Sequence, residues 1–139
     1  MGRPKIRHVA LFADDPDKLV KFYVDVFSME LIHRSPIGAC YVTDGYINLA
    51  ILPHALVKKD GTQLGYNHIG FQVDDTASMS EALVAVGAEQ PWTKSPHIPF
   101  AEYNAADLEG NLFDLSVNGW DVVRPDVKPV AASKELETS

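Results

Sequence analysis

The chain has 139 residues, of which 46% are hydrophobic and 22% are charged. This length fits one domain, and the composition excludes wholesale disorder, a collagen-like fibre and a coiled-coil rod. A net charge of -7 disfavours nucleic acid and anionic membrane surfaces as partners. No apolar run has bilayer length and no signal peptide is recognisable, so we expect a soluble, cytoplasmic protein that binds a small-molecule substrate.

An internal repeat organises the chain. Residues 8–26 align with residues 68–86 at an offset of 60, which pairs His8 with His68. Each half begins with an alternating strand that ends in two aspartates, and aspartate is a good N-cap for the helix that follows. The predicted apolar stripes of the two helices are Leu19, Phe22, Tyr23 and Val26, and Met79, Ala82, Leu83 and Val86.

Three shorter strands follow each helix, so each half is predicted to be a β-α-β-β-β module. We therefore predict an α+β fold in which two modules form a curved, mostly antiparallel sheet, with helices on one face and a cleft on the other. The modules cover about residues 6–52 and 66–118, with a connector at 53–65. Residues 1–120 form the predicted domain, and residues 121–139 form a C-terminal tail.

Strand alternation predicts a site on the open face of the sheet. If Val9 and Leu11 face a helix, His8 faces the cleft, and the same alternation places His68 and Asp114 there. Two imidazoles and one carboxylate are the ligand set that holds Fe(II) with open coordination positions, and Zn, Mn, Co or Ni also suit it. The sequence therefore predicts a divalent metal bound by His8, His68 and Asp114.

Each candidate ligand also has a purely structural interpretation. A strand histidine is often a hydrogen-bonded structural residue, and Asp114 is able to cap a turn or to pair with Lys5 or Arg7. Asn48 faces the same cleft, where it is a weak ligand, a group that orients a ligand, or a polar group of the cavity.

The paired modules and the order of their motifs resemble the vicinal oxygen chelate superfamily, which includes glyoxalase I, bleomycin-resistance proteins, extradiol dioxygenases and methylmalonyl-CoA epimerase. The resemblance covers about residues 6–118. The segments that carry it are HVALFADDP, FYVDVFSMEL, NHIGFQVDD and DLEGNLFDLS.

The resemblance implies a metal in the cleft, substrates that bind through adjacent oxygens, and a homodimer. Glyoxalase I supplies a glutamate from its fourth strand where this sequence is expected to have Asn48. The final ligand is usually glutamate, and here it is Asp114. A three-ligand site is nearer to that of the dioxygenases.

Three classes of function remain open: a metalloenzyme, a metal-free binding protein, and a regulatory or assembly domain that uses the fold as a scaffold. In the first, a metal-dependent lyase, isomerase or ring-cleaving dioxygenase uses Glu102 as a base or Tyr103 as a hydrogen-bond donor, and alternation allows one of the two to face inward. Their structural interpretation is a surface Glu102 and a packed Tyr103. The alternative is a metal-free binding protein of the bleomycin-resistance type, with an aromatic cleft lined by Phe12, Tyr46, Tyr66, Trp92 and Phe100.

Overall fold

The computed structural model describes residues 2–124, which form eight strands and two α-helices. The first half contains β1 (Lys5–Ala13), α1 (Pro16–Phe27), β2 (Glu30–Arg34), β3 (Cys40–Thr43) and β4 (Asn48–Pro53). The second half contains β5 (Gly65–Gln72), α2 (Thr76–Ala85), β6 (Trp92–Thr93), β7 (Tyr103–Ala106) and β8 (Leu112–Ser116). Two short 3-10 turns, at His54–Leu56 and Lys58–Asp60, lie in the connector between the halves.

All eight strands belong to one open sheet with the order β2-β3-β4-β1-β5-β8-β7-β6. The pairs β1·β4 and β5·β8 are parallel, whereas the other pairs are antiparallel. The first strand of each module lies at the centre of the sheet, and the remaining strands of that module extend outward from it. The predicted α+β fold of two β-α-β-β-β modules is therefore confirmed.

Both helices begin at the aspartates that the sequence indicates. The Asp15 carboxylate accepts a hydrogen bond from the backbone N–H of Lys18, and Asp75 accepts one from Ala77. These bonds satisfy N–H groups that have no partner within the helix. Helix α1 ends at Phe27 and is capped by Ser28, whose φ of 58° lies in the left-handed region that favours glycine.

The buried faces of the helices differ from the predicted stripes. Leu19, Val20, Tyr23 and Val24 pack α1 against the sheet, whereas Phe22 and Val26 are exposed. Helix α2 packs through Met79 and Leu83, and Ala82 and Val86 are exposed. The predicted stripes have the helical period, but α1 is rotated about its axis, so that Val20 and Val24 contact the sheet in place of Phe22 and Val26.

The sheet has an apolar cluster on each face. On the helix side, Leu11, Leu49 and Ile51 pack beneath α1. On the other side, residues from β1, β3 and β4 pack beneath a covering layer formed by Ile98, Phe100, Ala101 and Trp120. The predicted cleft is thus filled by the chain itself, through the loop before β7 and the segment after β8.

The segment after β8 is held against this covering loop. The backbone N–H of Arg124 donates to the carbonyl of Pro99 at 2.8 Å, and the Arg7 guanidinium pairs with Asp121 at 2.8 Å. Of the tail predicted at 121–139, residues 125–139 lie outside the described residues. Neither described α-helix has the length and apolar character needed to cross a bilayer.

Candidate metal centre

Three strands bring His8, His68 and Asp114 together on the face opposite the helices. One ligand atom from each residue lies within 4.8 Å of the other two. The Nε2 atoms of His8 and His68 lie 3.4 Å and 3.3 Å from Oδ2 of Asp114. The structure therefore brings together the three residues that the sequence predicts as metal ligands.

A side-chain amide orients each imidazole. Nδ1 of His8 lies 2.8 Å from Oδ1 of Asn48, and Nδ1 of His68 lies 2.7 Å from Oδ1 of Asn67. An amide oxygen accepts hydrogen bonds, so these contacts favour the tautomer in which Nδ1 carries the proton and Nε2 presents a lone pair. Metal-binding histidines have this arrangement, because the bond at one ring nitrogen fixes the tautomer and the direction of the other.

Two of the candidate ligand atoms have no hydrogen-bond partner among the described residues: Nε2 of His68 and Oδ2 of Asp114. Both present lone pairs, they lie 3.3 Å apart, and both side chains are 1% exposed. Buried acceptors that face each other without a proton between them are unfavourable. A cation between them removes this cost, so the donor set fits a divalent metal ion.

The charge state of the centre also suits a metal. The net pKa of His8 is lowered to about 4, chiefly by burial; Asp114 opposes this shift, whereas the nearby His68 and Lys94 contribute to it. His8 is therefore neutral at physiological pH and able to act as a ligand. Burial acts to raise the pKa of Asp114, but Lys94 and the two histidines outweigh it, so the net pKa lies below the ordinary value and the carboxylate is ionised.

A buried lysine contacts the third ligand. Lys94, just beyond β6, places Nζ 2.8 Å from Oδ1 of Asp114, and its side chain is 0% exposed. The two carboxylate oxygens therefore have different environments, with Oδ1 bound to the ammonium and Oδ2 facing the imidazoles. The sequence gives no periodic signal for Lys94, because it lies in an irregular segment between two short strands.

Trp120 covers the centre. Its indole stacks on the His8 ring, with centroids 5.1 Å apart and planes inclined by 6°. Gly70 permits this contact, since a Cβ at that position would lie 2.7 Å from the indole and 2.9 Å from Cβ of His8. In this closed arrangement the side chains of His8, His68 and Asp114 are only 0–1% exposed.

The strand register identifies the counterpart of Asp114 in the first module. Asp114 pairs with Gly70, and the repeat offset equates Gly70 with Ala10, which pairs with Ala50. Asn48 instead pairs with His8. Ala50 rather than Asn48 thus occupies the place expected for a fourth carboxylate ligand, and Asn48 is the group that orients His8.

Glu102 and Tyr103, the predicted catalytic residues, have other contacts. The Glu102 carboxylate accepts hydrogen bonds from Oγ of Ser116 at 2.6 Å and from the backbone N–H of Val117 at 2.8 Å. Tyr103 packs in the cluster beneath α2. Glu102 thereby holds the turn that leads to Trp120, and the catalytic roles of Glu102 and Tyr103 stay predictions.

The five aromatic residues predicted to line one cleft are separated in the structure. Phe12 and Phe100 are buried in the cluster on the open face, whereas Tyr46, Tyr66 and Trp92 are exposed. A surface pocket of about 320 Å³ borders His68, and its lining includes Val9, Tyr66 and Ile69 but neither His8 nor Asp114. The predicted aromatic cleft is therefore not formed by these residues.

Comparison with known proteins identifies one family and several similar folds. A sequence profile of the Glyoxalase/Bleomycin resistance protein/Dioxygenase superfamily matches residues 5–115. No curated protein matches the chain. A hypothetical protein from Bacillus halodurans C-125 superposes with a TM-score of 0.65 at 15% identity, covering 82% of this chain and 94% of that one.

Two solved enzymes share the fold at similarly low identity. Methylmalonyl-CoA epimerase from Mycobacterium tuberculosis gives a TM-score of 0.56 at 20% identity, covering 79% of this chain and 85% of that one. A halotolerant catechol dioxygenase gives 0.63 at 17% identity, covering 90% of this chain and 42% of that one. The chain therefore spans less than half the length of that dioxygenase.

Proposed function

Because the chain belongs to the Glyoxalase/Bleomycin resistance protein/Dioxygenase superfamily, we propose that it is an enzyme in which His8, His68 and Asp114 hold a divalent metal that binds a small oxygenated substrate. One observation carries the proposal. Nε2 of His68 and Oδ2 of Asp114 are buried and 3.3 Å apart, and neither atom has a hydrogen-bond partner among the described residues.

The residues around the ligands support this function in distinct ways. Asn48 and Asn67 direct both Nε2 lone pairs inward, and Lys94 holds Asp114 through the oxygen that does not face the rings. A bound metal supplies Lewis acidity, which polarises substrate oxygens and stabilises negative charge that develops on them. Trp120 excludes water from the ligand set, and substrate entry requires the segment that carries it to move.

The number of protein ligands favours one reaction class. Ala50 occupies the place where a fourth carboxylate would lie, so three protein ligands leave coordination positions for substrate and a second molecule. This arrangement suits oxygen-dependent cleavage of a catechol-like substrate. Lyase or isomerase chemistry requires a base at the substrate, and Glu102, the carboxylate predicted for that role, is bound to Ser116 and Val117.

Metal loading followed by oxygen uptake tests both parts of the proposal. The protein, purified without a chelating tag, is loaded anaerobically with Fe(II), Co(II) or Zn(II), and bound metal is measured by elemental analysis. We expect one ion per chain and loss of binding in Asp114→Asn, whereas Asp107→Asn, at an exposed aspartate, retains it. Oxygen consumption by the Fe(II) form with catechols supports the dioxygenase class, and turnover without oxygen supports a lyase or isomerase.

A metal-free small-molecule binding protein is the second candidate. The buried contact between Lys94 and Asp114 favours it, because the ammonium already neutralises the carboxylate without a metal. Failure of every metal to bind stoichiometrically would support this candidate and exclude the enzyme proposed above.

A further inference from the structure

A lysine whose charge is fully enclosed lies at the metal centre. The Lys94 and Asp114 side chains are 0% and 1% exposed, and Nζ lies 2.8 Å from Oδ1. The backbone of Lys94 is also fixed, since its N–H donates to the carbonyl of Glu102 at 3.0 Å. A buried ion pair carries a large desolvation cost, so a gain in stability is a weak explanation for its presence.

The two carboxylate oxygens of Asp114 have different partners. Oδ1 accepts from Lys94, whereas Oδ2 faces Nε2 of His8 and of His68 at 3.4 Å and 3.3 Å. Lys94 therefore does not block the atoms proposed as ligands. It instead adds a positive charge immediately behind the carboxylate.

Counting charges shows what this lysine changes. Two neutral imidazoles, the Asp114 carboxylate and the Lys94 ammonium sum to zero, so a divalent metal brings the enclosed centre to a net charge of about +2. Without the ammonium the same centre would carry about +1. Since the centre is shielded from water, this excess charge interacts strongly with whatever binds beside the metal.

We propose that Lys94 is a specificity-determining residue that makes this centre select substrates whose adjacent oxygens bind as an anion, with dianions preferred over monoanions. The inference rests on the proposed metal-binding function. It assigns to Lys94 a positioning role in which the ammonium adds positive charge to the centre at a distance from the reacting atoms. It also predicts weaker metal binding than the same ligands would give without the lysine, because the ammonium and the metal repel each other.

Oxalate and oxamate are suitable probes, because they have nearly the same shape and differ by one negative charge. Their affinities are measured by calorimetry at one pH on the Co(II)-loaded protein, for wild type, Lys94→Met and Lys94→Gln. Gln retains a donor for Oδ1 without the charge. Lys21→Met is the matched control, since it removes a Lys–Asp contact of 2.6 Å at the surface.

We expect wild type and Lys21→Met to bind oxalate more tightly than oxamate, and the ratio of the two affinities to fall roughly tenfold or more in the Lys94 variants. The Co(II) affinity of the Lys94 variants rises at the same time. Thermal melts and circular dichroism identify which variant is folded. If neither Lys94 variant folds, the ratio of the oxalate and oxamate affinities of wild type tests the inference, and equal affinities overturn it.

The possible failures are distinguishable. If Co(II) binds but the affinity ratio is the same in wild type and in the Lys94 variants, the specificity role is wrong and the metal-binding function stands. If Co(II) binds the Lys94 variants but not wild type, the ammonium prevents metal binding, which overturns the specificity inference and supports the metal-free candidate. If Co(II) binds none of the proteins, both the inference and the metalloenzyme proposal are overturned.

Discussion

Asn48 orients the imidazole of His8, because its Oδ1 lies 2.8 Å from Nδ1 and leaves Nε2 directed toward Oδ2 of Asp114 at 3.4 Å. The two residues are also register partners on the adjacent strands β1 and β4. The sheet therefore fixes the relative position of an imidazole and the group that selects its tautomer.

Replacing this orienting group should weaken metal binding without removing a ligand. We expect Asn48→Ala to lower the affinity for Co(II) about 10- to 100-fold, because the His8 ring loses the bond that fixes its tautomer. Competition with a chromophoric chelator measures the change. Asn111→Ala, at an exposed asparagine, is the control, and equal affinities in all three proteins would contradict the role of Asn48.

The enclosed His8 should make the metal-free protein sensitive to acid. The folded-state pKa of His8 is about 4, whereas the ordinary value near 6.5 applies to the unfolded chain. As the pH falls from 6.5 to 4 the unfolded chain binds a proton that the folded protein does not, so the free energy of unfolding decreases by up to about 3 kcal/mol. The lowered pKa of Asp114 adds a further loss below the ordinary pKa of a free aspartate.

Urea unfolding of the metal-free protein at pH 7 and pH 4.5 measures this dependence. His8→Gln has no imidazole to protonate, so its stability should change less between the two pH values than that of wild type. An equal decrease in both proteins would show that His8 is not the source of the acid sensitivity.

Gly70 should tolerate no side chain while Trp120 is in place. A Cβ at residue 70 would lie 2.7 Å from the indole and 2.9 Å from Cβ of His8, both closer than van der Waals contact. We expect Gly70→Ala to destabilise the protein by about 1–3 kcal/mol through overpacking. In a double-mutant cycle with Trp120→Ala, the cost of Gly70→Ala should decrease, and strict additivity would contradict the contact.

Removing the indole should open the metal centre. Trp120 is 2% exposed and stacks on His8, so we expect Trp120→Ala to lower stability by about 3–5 kcal/mol and to speed the removal of bound Co(II) by EDTA. Trp92→Ala, at a tryptophan that is 40% exposed, is the matched control. An unchanged extraction rate in Trp120→Ala would mean that the metal is reached by another route.

The sequence predicted the fold and the three central residues because both depend on local periodicity. The repeat sets the module order, and strand alternation assigns His8, His68 and Asp114 to one face regardless of how the strands are arranged. The same reasoning places Asn48 on that face. The register of β1 against β4 makes Ala50 the counterpart of Asp114. Strand alternation does not predict this register, because it assigns a residue to a face but not to a partner on the next strand.

The surroundings of the site depend on contacts that have no periodic signal. Lys94 and Trp120 both lie outside the long strands and reach the centre through the packing of irregular segments. Alternation allowed either Glu102 or Tyr103 to face the cleft, but two hydrogen-bond donors at the end of β8, Ser116 and Val117, hold the Glu102 carboxylate. The role of Asn67 could have been predicted from the sequence, since it directly precedes His68 and its amide is a suitable partner for the ring nitrogen that does not face the metal.

Anomalous diffraction from a crystal of the Co(II)-loaded protein tests the account most directly. We expect one peak in the anomalous map, at bonding distance of roughly 2.0–2.2 Å from Nε2 of His8, Nε2 of His68 and Oδ2 of Asp114. A peak bound to other residues, or no peak in a protein otherwise folded as described, would contradict the assignment of these side chains as the metal centre.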